Sequence, residues 1–163
     1  MRPGSLWLHA VSVGEMRAAE PVIKTAETMR NGWLHSGDMA TLDERGYLTI
    51  VDRKKDLIIS GGANISSREV EEVLYWHASV REASVIGKPD EEWGEVPHAF
   101  VSLHAGKSLT ADELLAFCKE RLSGYKCPRT IDIVDDLPKN GLGKILKTEL
   151  RARFWAGHSR KVN

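Results

Sequence analysis

Lys144 lies in the stretch Leu137-Pro138-Lys139-Asn140-Gly141-Leu142-Gly143-Lys144-Ile145, between a strand-like and a helix-like segment. Two glycines nearby keep the backbone clear of Cβ crowding, so an extended loop can carry a long cationic side chain into a neighbouring crevice. Such a loop suits a bound anion. A Walker-type phosphate loop is excluded: it needs a glycine five positions before the Gly-Lys pair and a hydroxyl residue after it, and those places hold Pro138 and Ile145. Three more clusters combine glycine with charge: Gly32-Trp33-Leu34-His35-Ser36-Gly37-Asp38, Val51-Asp52-Arg53-Lys54-Lys55-Asp56 and Ile59-Ser60-Gly61-Gly62-Ala63-Asn64-Ile65. On residue chemistry alone each has a plain reading beside a chemical one. Lys144 fits a solvated turn, Asp38 a turn cap, Arg53 a surface ion pair, and Gly61-Gly62 a tight turn into the next helix.

The elements that must position these clusters are interleaved strands and helices. Leu42 to Tyr47 reads as a hairpin turn ahead of a strand from Tyr47 to Val51, and a second strand is expected over Leu57 to Ser60. Ser66 and Glu69 carry a capping pattern that starts a helix ending near Trp76 or His77, with Val70, Val73 and Leu74 on one face. Strands are expected over Val80 to Gly87, His98 to Leu103 and Ile131 to Val134. Thr110 and Glu113 stand in capping-box spacing at the head of a helix to Leu122, and a last helix runs from Lys147 to Trp155. The N-terminal part is less regular: an apolar run Leu6 to Val11, a break at Gly14, and a helix-compatible stretch Glu15 to Lys24. The order predicts an α+β fold, a small mixed sheet covered by helices.

Composition narrows the function classes. The chain has 163 residues, 42% hydrophobic and 28% charged, enough to bury a core, with 23 basic against 23 acidic side chains. A balanced charge gives no general field for nucleic acid or an anionic membrane, so any anion site must be local. Cys118 and Cys127 have no CxxC or Cys/His spacing, which argues for free thiols over a disulfide scaffold or zinc. His35, His77 and His98 show no metal spacing, and no metal site is expected. Trp33, Trp76, Trp93 and Trp155 read as packing or interface residues. No apolar stretch reaches membrane-spanning length, and the start Met1-Arg2-Pro3-Gly4-Ser5 lacks a signal-peptide pattern, so a cytoplasmic protein is expected.

Taken together and in this order, the four clusters resemble the C-terminal part of the adenylate-forming superfamily, which includes acyl-CoA synthetases, firefly luciferase and peptide-synthetase adenylation domains. The resemblance covers residues 24 to 155. Gly32 to Asp38 is similar to the family's Gly-Trp-x-x-Thr-Gly-Asp motif, with Ser36 in the threonine place; Asp52 to Glu71 resembles the hinge-and-glycine motif, and Leu137 to Leu150 the catalytic-lysine motif. The resemblance implies that Asp38 accepts hydrogen bonds from the ribose hydroxyls of ATP, and that Arg53 donates to the same ribose or a phosphate oxygen. Lys55 would be the hinge about which a small lid domain swings. In one orientation Lys144 would stabilise charge as a carboxylate attacks the α-phosphate; in the other, Gly61 and Gly62 would line the channel for the CoA pantetheine. Leu142 departs from the family, which places a serine or threonine before the Gly-Lys pair, and this puts the order of the loop in question. Gly124 to Pro128 is similar to the family's Tyr-Lys-x-Pro stretch and reads as a structural connection.

The resemblance further implies a division into an appended segment 1–23, the tail of a large N-terminal domain over 24–54 and a lid over 55–163. ATP and CoA would be substrates, with magnesium bound beside ATP on the large domain and nothing bound by this chain alone. The expected function is the C-terminal part of an ATP-dependent acyl-CoA synthetase, supplying the mobile lysine and inactive by itself. Its partners would be a carboxylic acid, CoA and the large domain; a face left uncovered would favour self-association. The alternative is a freestanding lid-like module that docks on a partner synthetase. Leu6 to Glu15 resembles the beginning of the Kdo transferases, in which a glutamate placed like Glu15 acts in glycosyl transfer; that activity is not carried over, because the sugar-nucleotide domain has no counterpart here.

Overall fold

A computed structural model describes residues 29–30 and 33–156. The apolar run at 6–11, the helix expected over 15–24, Glu15 and Gly32 lie outside the described residues. The chain divides into two compact units, Met1–Asp38 and Met39–Asn163. In the first, strands β1 (Met29–Arg30) and β2 (Trp33–Leu34) pair antiparallel, Met29 opposite Leu34.

Strands β3 (Asp38–Leu42) and β4 (Leu48–Arg53) form a two-stranded sheet. Asp43 builds the turn between them, its Oδ1 accepting from the Arg45 amide at 3.0 Å and the Tyr47 amide at 2.8 Å. Residues 44–47 thus form the turn expected from sequence, and β3 is a strand the sequence reading did not assign. Beyond β4 a short helical turn, Lys54–Asp56, leads to β5 (Ile58–Ser60) and β6 (Ala63–Ile65).

The main sheet is five-stranded, in the order β6-β5-β8-β7, with β9 (Thr130–Ile133) added to β8. Strands β7 (Val80–Asp90) and β8 (Gly94–Leu103) make one long antiparallel hairpin. The Asp90 carboxylate closes it by accepting from the Glu92 and Trp93 amides at 3.0 and 2.9 Å. The opposite edge of β8 is shared: Gly94 pairs with Ser60 of β5, while His98 to Val101 run parallel to Thr130 to Ile133. That shared edge makes the sheet mixed, as expected.

Alternation along β7 and β8 sorts the core into two layers. Ala83, Val85, Ala99 and Val101 face helices α1 (Ser67–Tyr75) and α2 (Ala111–Lys119), together with Val70, Val73, Leu74 and Leu114. Ile86 and Phe100 face the other way, onto Leu137 and Leu150 of the segment ending in α3 (Lys147–Trp155). Each of these fully buried large side chains contributes about 2 kcal/mol. Both expected N-caps form, with one difference. Thr110 and Glu113 make a reciprocal box, whereas Ser66 accepts from the Glu69 amide and the Glu69 carboxylate turns instead to Lys126, at 2.6 and 2.8 Å.

The tryptophans divide between packed and exposed positions. Trp155 packs and donates to the Gly87 carbonyl at 2.8 Å, but Trp33, Trp76 and Trp93 are 58%, 67% and 41% exposed. Cys118 and Cys127 are free and buried, and burial pushes the Cys118 thiol up to about 11, so it is a packing residue.

Candidate functional site

The loop bearing Lys144 is closed by Asn140. The Asn140 Oδ1 accepts from the Leu142 amide at 3.0 Å and the Lys144 amide at 2.9 Å; its own amide donates to the Lys144 carbonyl, and its carbonyl accepts from Gly143, each at 2.9 Å. Below this knot, Lys139 and Ile145 form a bridge and the Leu146 amide donates to Pro138 at 2.8 Å. Gly143, at φ +79°, permits the tight return. Leu142 is 91% exposed, and the order of the loop comes from the asparagine side chain in place of a hydroxyl at that position. Asn140 was missed as a functional residue; an asparagine that can bond its own backbone two and four residues on is the signal that could have found it. Lys144 is exposed, and among the described residues no hydrogen bond or ion pair engages its ammonium.

Two lysines anchor the base of this loop. Lys139 Nζ lies 2.8 Å from Glu82 and 3.2 Å from Asp136, and the Glu82 hydrogen bond, then that of Asp136, raises its pKa. Lys147 Nζ lies 2.8 Å from Glu71 Oε1 and 2.8 Å from Ser67 Oγ. Burial raises the Glu71 pKa; Lys147 and the Val85 amide, which donates at 2.7 Å, oppose the rise without cancelling it.

Arg53 ends β4, and Lys55 is exposed in the helical turn after it. Two buried carboxylates bracket this basic stretch. Asp52 accepts from Ser66 Oγ at 2.8 Å, Ser67 Oγ at 3.3 Å and the Arg68 amide at 3.4 Å, which sets a negative charge at the N-terminus of α1. Asp56 meets Arg151 of α3 at 2.7 Å, with both side chains under 15% exposed. Burial acts to raise the Asp56 pKa; the Arg151 hydrogen bond and the charges of Lys147, Arg151 and Lys55 outweigh it and lower the value. Sequence reasoning singled out the cations of this stretch and missed the carboxylates, whose partners lie far along the chain.

Gly61 and Gly62, at φ +55° and +84°, form the two-residue turn between β5 and β6, with Ser60 opposite Ala63. The Gly61 amide donates to the Trp93 carbonyl at 2.9 Å, and a Cβ on Gly61 would meet Trp93 Cε3 at 2.5 Å, so any larger residue there has to displace this ring. Beside the turn opens a cavity of about 400 Å³, lined by Trp93, Leu115, Lys119, Tyr125 and Arg129 among others. Two aromatic rings and two cations are suited to a planar, anionic ligand.

Asp38 belongs to the first compact unit; it is exposed, and its amide donates to Ser36 Oγ at 3.2 Å. Arg53, Lys55, Gly61, Gly62 and Lys144 belong to the second. Within it, hydrogen bonds join the segment around Arg53 to the base of the Lys144 loop through Asp52, Ser67 and Lys147. No hydrogen bond or ion pair among the described residues joins the Gly61-Gly62 turn to Lys144. Among the described residues no group of three or more His, Cys, Asp or Glu side chains is placed to hold a metal ion. No helix among them is long and apolar enough to cross a membrane.

Comparison with known proteins follows the same lines. Residues 69–144 match the AMP-binding enzyme C-terminal domain, and residues 1–36 match the 3-deoxy-D-manno-octulosonic-acid transferase family. A feruloyl-CoA synthase from Amycolatopsis sp. is 53% identical over 130 residues, 80% of this chain and 26% of that protein. The fatty acid–[acyl-carrier-protein] ligase ScoC of Streptomyces coeruleorubidus is 46% identical over 140 residues, 86% of this chain and 27% of its own length. Among solved structures, ATP-bound MatB from Rhodopseudomonas palustris superposes with a TM-score of 0.75 at 33% identity, covering 86% of this chain and 28% of that one. The o-succinylbenzoate CoA synthetase MenE of Bacillus subtilis, in complex with its acyl-adenylate, gives 0.71 at 45% identity over 85% and 27%. The chain therefore spans about a quarter of the length of the curated relatives it matches. Its α+β fold is that of the C-terminal domains of adenylate-forming synthetases, and the segment from residue 69 to residue 144 is similar to the AMP-binding enzyme C-terminal domain.

Proposed function

We propose that this chain acts as the C-terminal part of an ATP-dependent acid–thiol ligase, which joins a carboxylic acid to CoA through an acyl-adenylate with release of AMP and pyrophosphate. The observation that carries the reading is Lys144: an exposed lysine without an intramolecular partner among the described residues, on a loop whose backbone is tied at every turn. An ammonium so displayed serves a charge that arrives from outside the chain. In the adenylating orientation it stabilises the α-phosphate as pyrophosphate leaves, while Asp38 and Arg53 hold the ribose. Rotation about Lys55 then withdraws Lys144 and brings Gly61 and Gly62 to the adenylate, where the absence of side chains lets the pantetheine thiol pass. The neighbouring cavity, with Lys119 and Arg129, supports binding of the nucleotide end of CoA.

In this reading residues 1–23 are an appended segment, 24–54 the tail of the large domain and 55–163 the lid. Adenine, acyl group and magnesium are held by the large domain, and a cytoplasmic setting suits these soluble substrates. The relatives activate aryl and fatty acids, and both acid classes fall within the proposal. The freestanding-module reading is not favoured, since the relatives are themselves ligases. Leu42 and Leu48 of the β3–β4 sheet and Tyr47 of its turn are each more than 60% exposed, and self-association of the isolated chain through them is part of the proposal. Sedimentation should give a mass that rises with concentration, and a monomer throughout would refute that point.

The activity is tested by mixing the chain with the adenylation part of the Amycolatopsis relative, cut before its own C-terminal domain, and assaying ATP/pyrophosphate exchange over a panel of carboxylic acids. Exchange is expected from the pair and not from the chain alone. Robust exchange by the chain alone, or none by a folded pair, would count against the reading.

A further inference from the structure

We propose that Lys147 is a positioning residue for Lys144, fixing the downstream end of its loop through Glu71 and Ser67. The proposal rests on the reading of Lys144 as the chemical group, but its structural content stands apart from that reading.

Lys147 is the first residue of α3, and Leu146 before it caps the helix without a side-chain hydrogen bond. A cation in the first turn faces the positive end of the helix dipole, so this residue does not serve the stability of α3 itself. Its ammonium is instead drawn away, 2.8 Å from Glu71 and 2.8 Å from Ser67 Oγ, with the two ion-pair partners 19% and 16% exposed. Glu71 is itself fixed, because its Oε1 accepts from the Val85 amide at 2.7 Å. Strand β7 is at the edge of the sheet, and α1 supplies partners to it one helical turn apart: Glu71 to the Val85 amide and the Tyr75 hydroxyl to the Ala83 carbonyl at 3.3 Å. Lys147 therefore grips a carboxylate that is already held by the sheet.

The upstream end of the loop reaches the same strand, through Lys139 and Glu82 at 2.8 Å. Lys144 is thus carried on a loop with both ends pinned to β7, at residues 82 and 85, and its middle knotted by Asn140. The hydroxyl of Ser67 passes the contact onward to Asp52 at 3.3 Å, next to Arg53. A long, freely rotating side chain can reach the same point in every turnover only if its Cα is held in this way. Lys147 performs that holding three residues from Lys144, without touching the reacting groups.

The test is amide hydrogen exchange on the full 163-residue chain, followed by NMR, with Lys147→Met, Lys147→Arg and Glu71→Gln. Lys147→Met keeps the aliphatic stem and deletes the charge. It should speed exchange of the Lys144 and Leu146 amides by about tenfold or more, and Glu71→Gln should do the same more weakly, while Ala99 and Val101 in β8 are unchanged. Lys147→Arg should restore protection to within about threefold, because the charge and reach are kept. Unchanged loop exchange in Lys147→Met, or acceleration that β8 shares in all variants, would overturn the proposal. In the reconstituted pair, Lys147→Met should lower kcat for adenylation by about tenfold with KM unchanged; full activity there would also overturn it. A wild-type pair without activity would defeat the ligase reading and leave the exchange result to decide the role of Lys147.

Discussion

At the scale of single residues, the chain separates groups that hold the backbone from groups that are offered outward. Asn140 spends both acceptor positions of its side-chain oxygen on backbone amides of the loop, one of them that of Lys144, and the ammonium of Lys144 spends none of its donors within the described residues. Gly61 and Gly62 divide in a similar way. Both have positive φ, but a Cβ on Gly61 would collide with the Trp93 ring, whereas nothing lies within 4 Å of one on Gly62. Gly62→Ala should therefore cost about 1 kcal/mol of backbone strain, and Gly61→Ala about 2 to 3 kcal/mol because the indole must also move. Urea unfolding of the two variants measures the difference; equal losses would show that Trp93 yields freely. Much of this scale was legible beforehand, since Lys144 and both glycines stand out by type and spacing. The role of Asn140 and the covering of Gly61 by Trp93 were not legible, because the first depends on how the loop folds back and the second on a contact 32 positions away.

At the scale of elements, helix α3 is the joint of the second unit. One face packs Leu150 on Ile86 and Phe100, and its cations at 147 and 151 meet carboxylates from α1 and from the turn after β4. The Asp56–Arg151 pair gives a pH dependence of definite sign. Asp56 titrates below its ordinary value, near 3.8, in the folded chain, so the stability it confers is complete above that value and is lost as pH falls through the lowered one. Glu71 has the opposite sign: its value is raised, and the stability linked to it is present below its ordinary value and lost as pH rises through the folded one. Asp56→Asn should cost about 3 kcal/mol at neutral pH, because Arg151 is left buried without its partner, and should flatten the loss of stability as pH falls below 3.8. An acid limb as steep as that of the unaltered chain would contradict the assignment. Helices α1 and α2 were readable from their capping residues, and α1 also from its periodic apolar face. Strand β6 was not, since Ala63-Asn64-Ile65 has too few residues to alternate and is defined by the Gly-Gly turn before it. Nor was the length of the β7–β8 hairpin, where Pro89 and Pro97 in the sequence argue for ends that the pairing runs through.

At the scale of the whole molecule, the features that remain unexplained within the chain all point outward: an unengaged lysine, a cavity walled by aromatic rings and cations, and apolar side chains exposed on the β3–β4 sheet. They belong together if the chain is a lid that presents one surface for adenylation and another for thiol transfer. The relatives, of which it spans about a quarter, have room for the body such a lid would close. The most direct measurement compares the two half-reactions in the reconstituted pair with Lys144 intact and with Lys144→Ala. Adenylation, followed by pyrophosphate exchange, should fall by about a hundredfold or more, while transfer to CoA from added acyl-adenylate should proceed at an unchanged rate. Adenylation that survives the substitution would contradict the role assigned to Lys144.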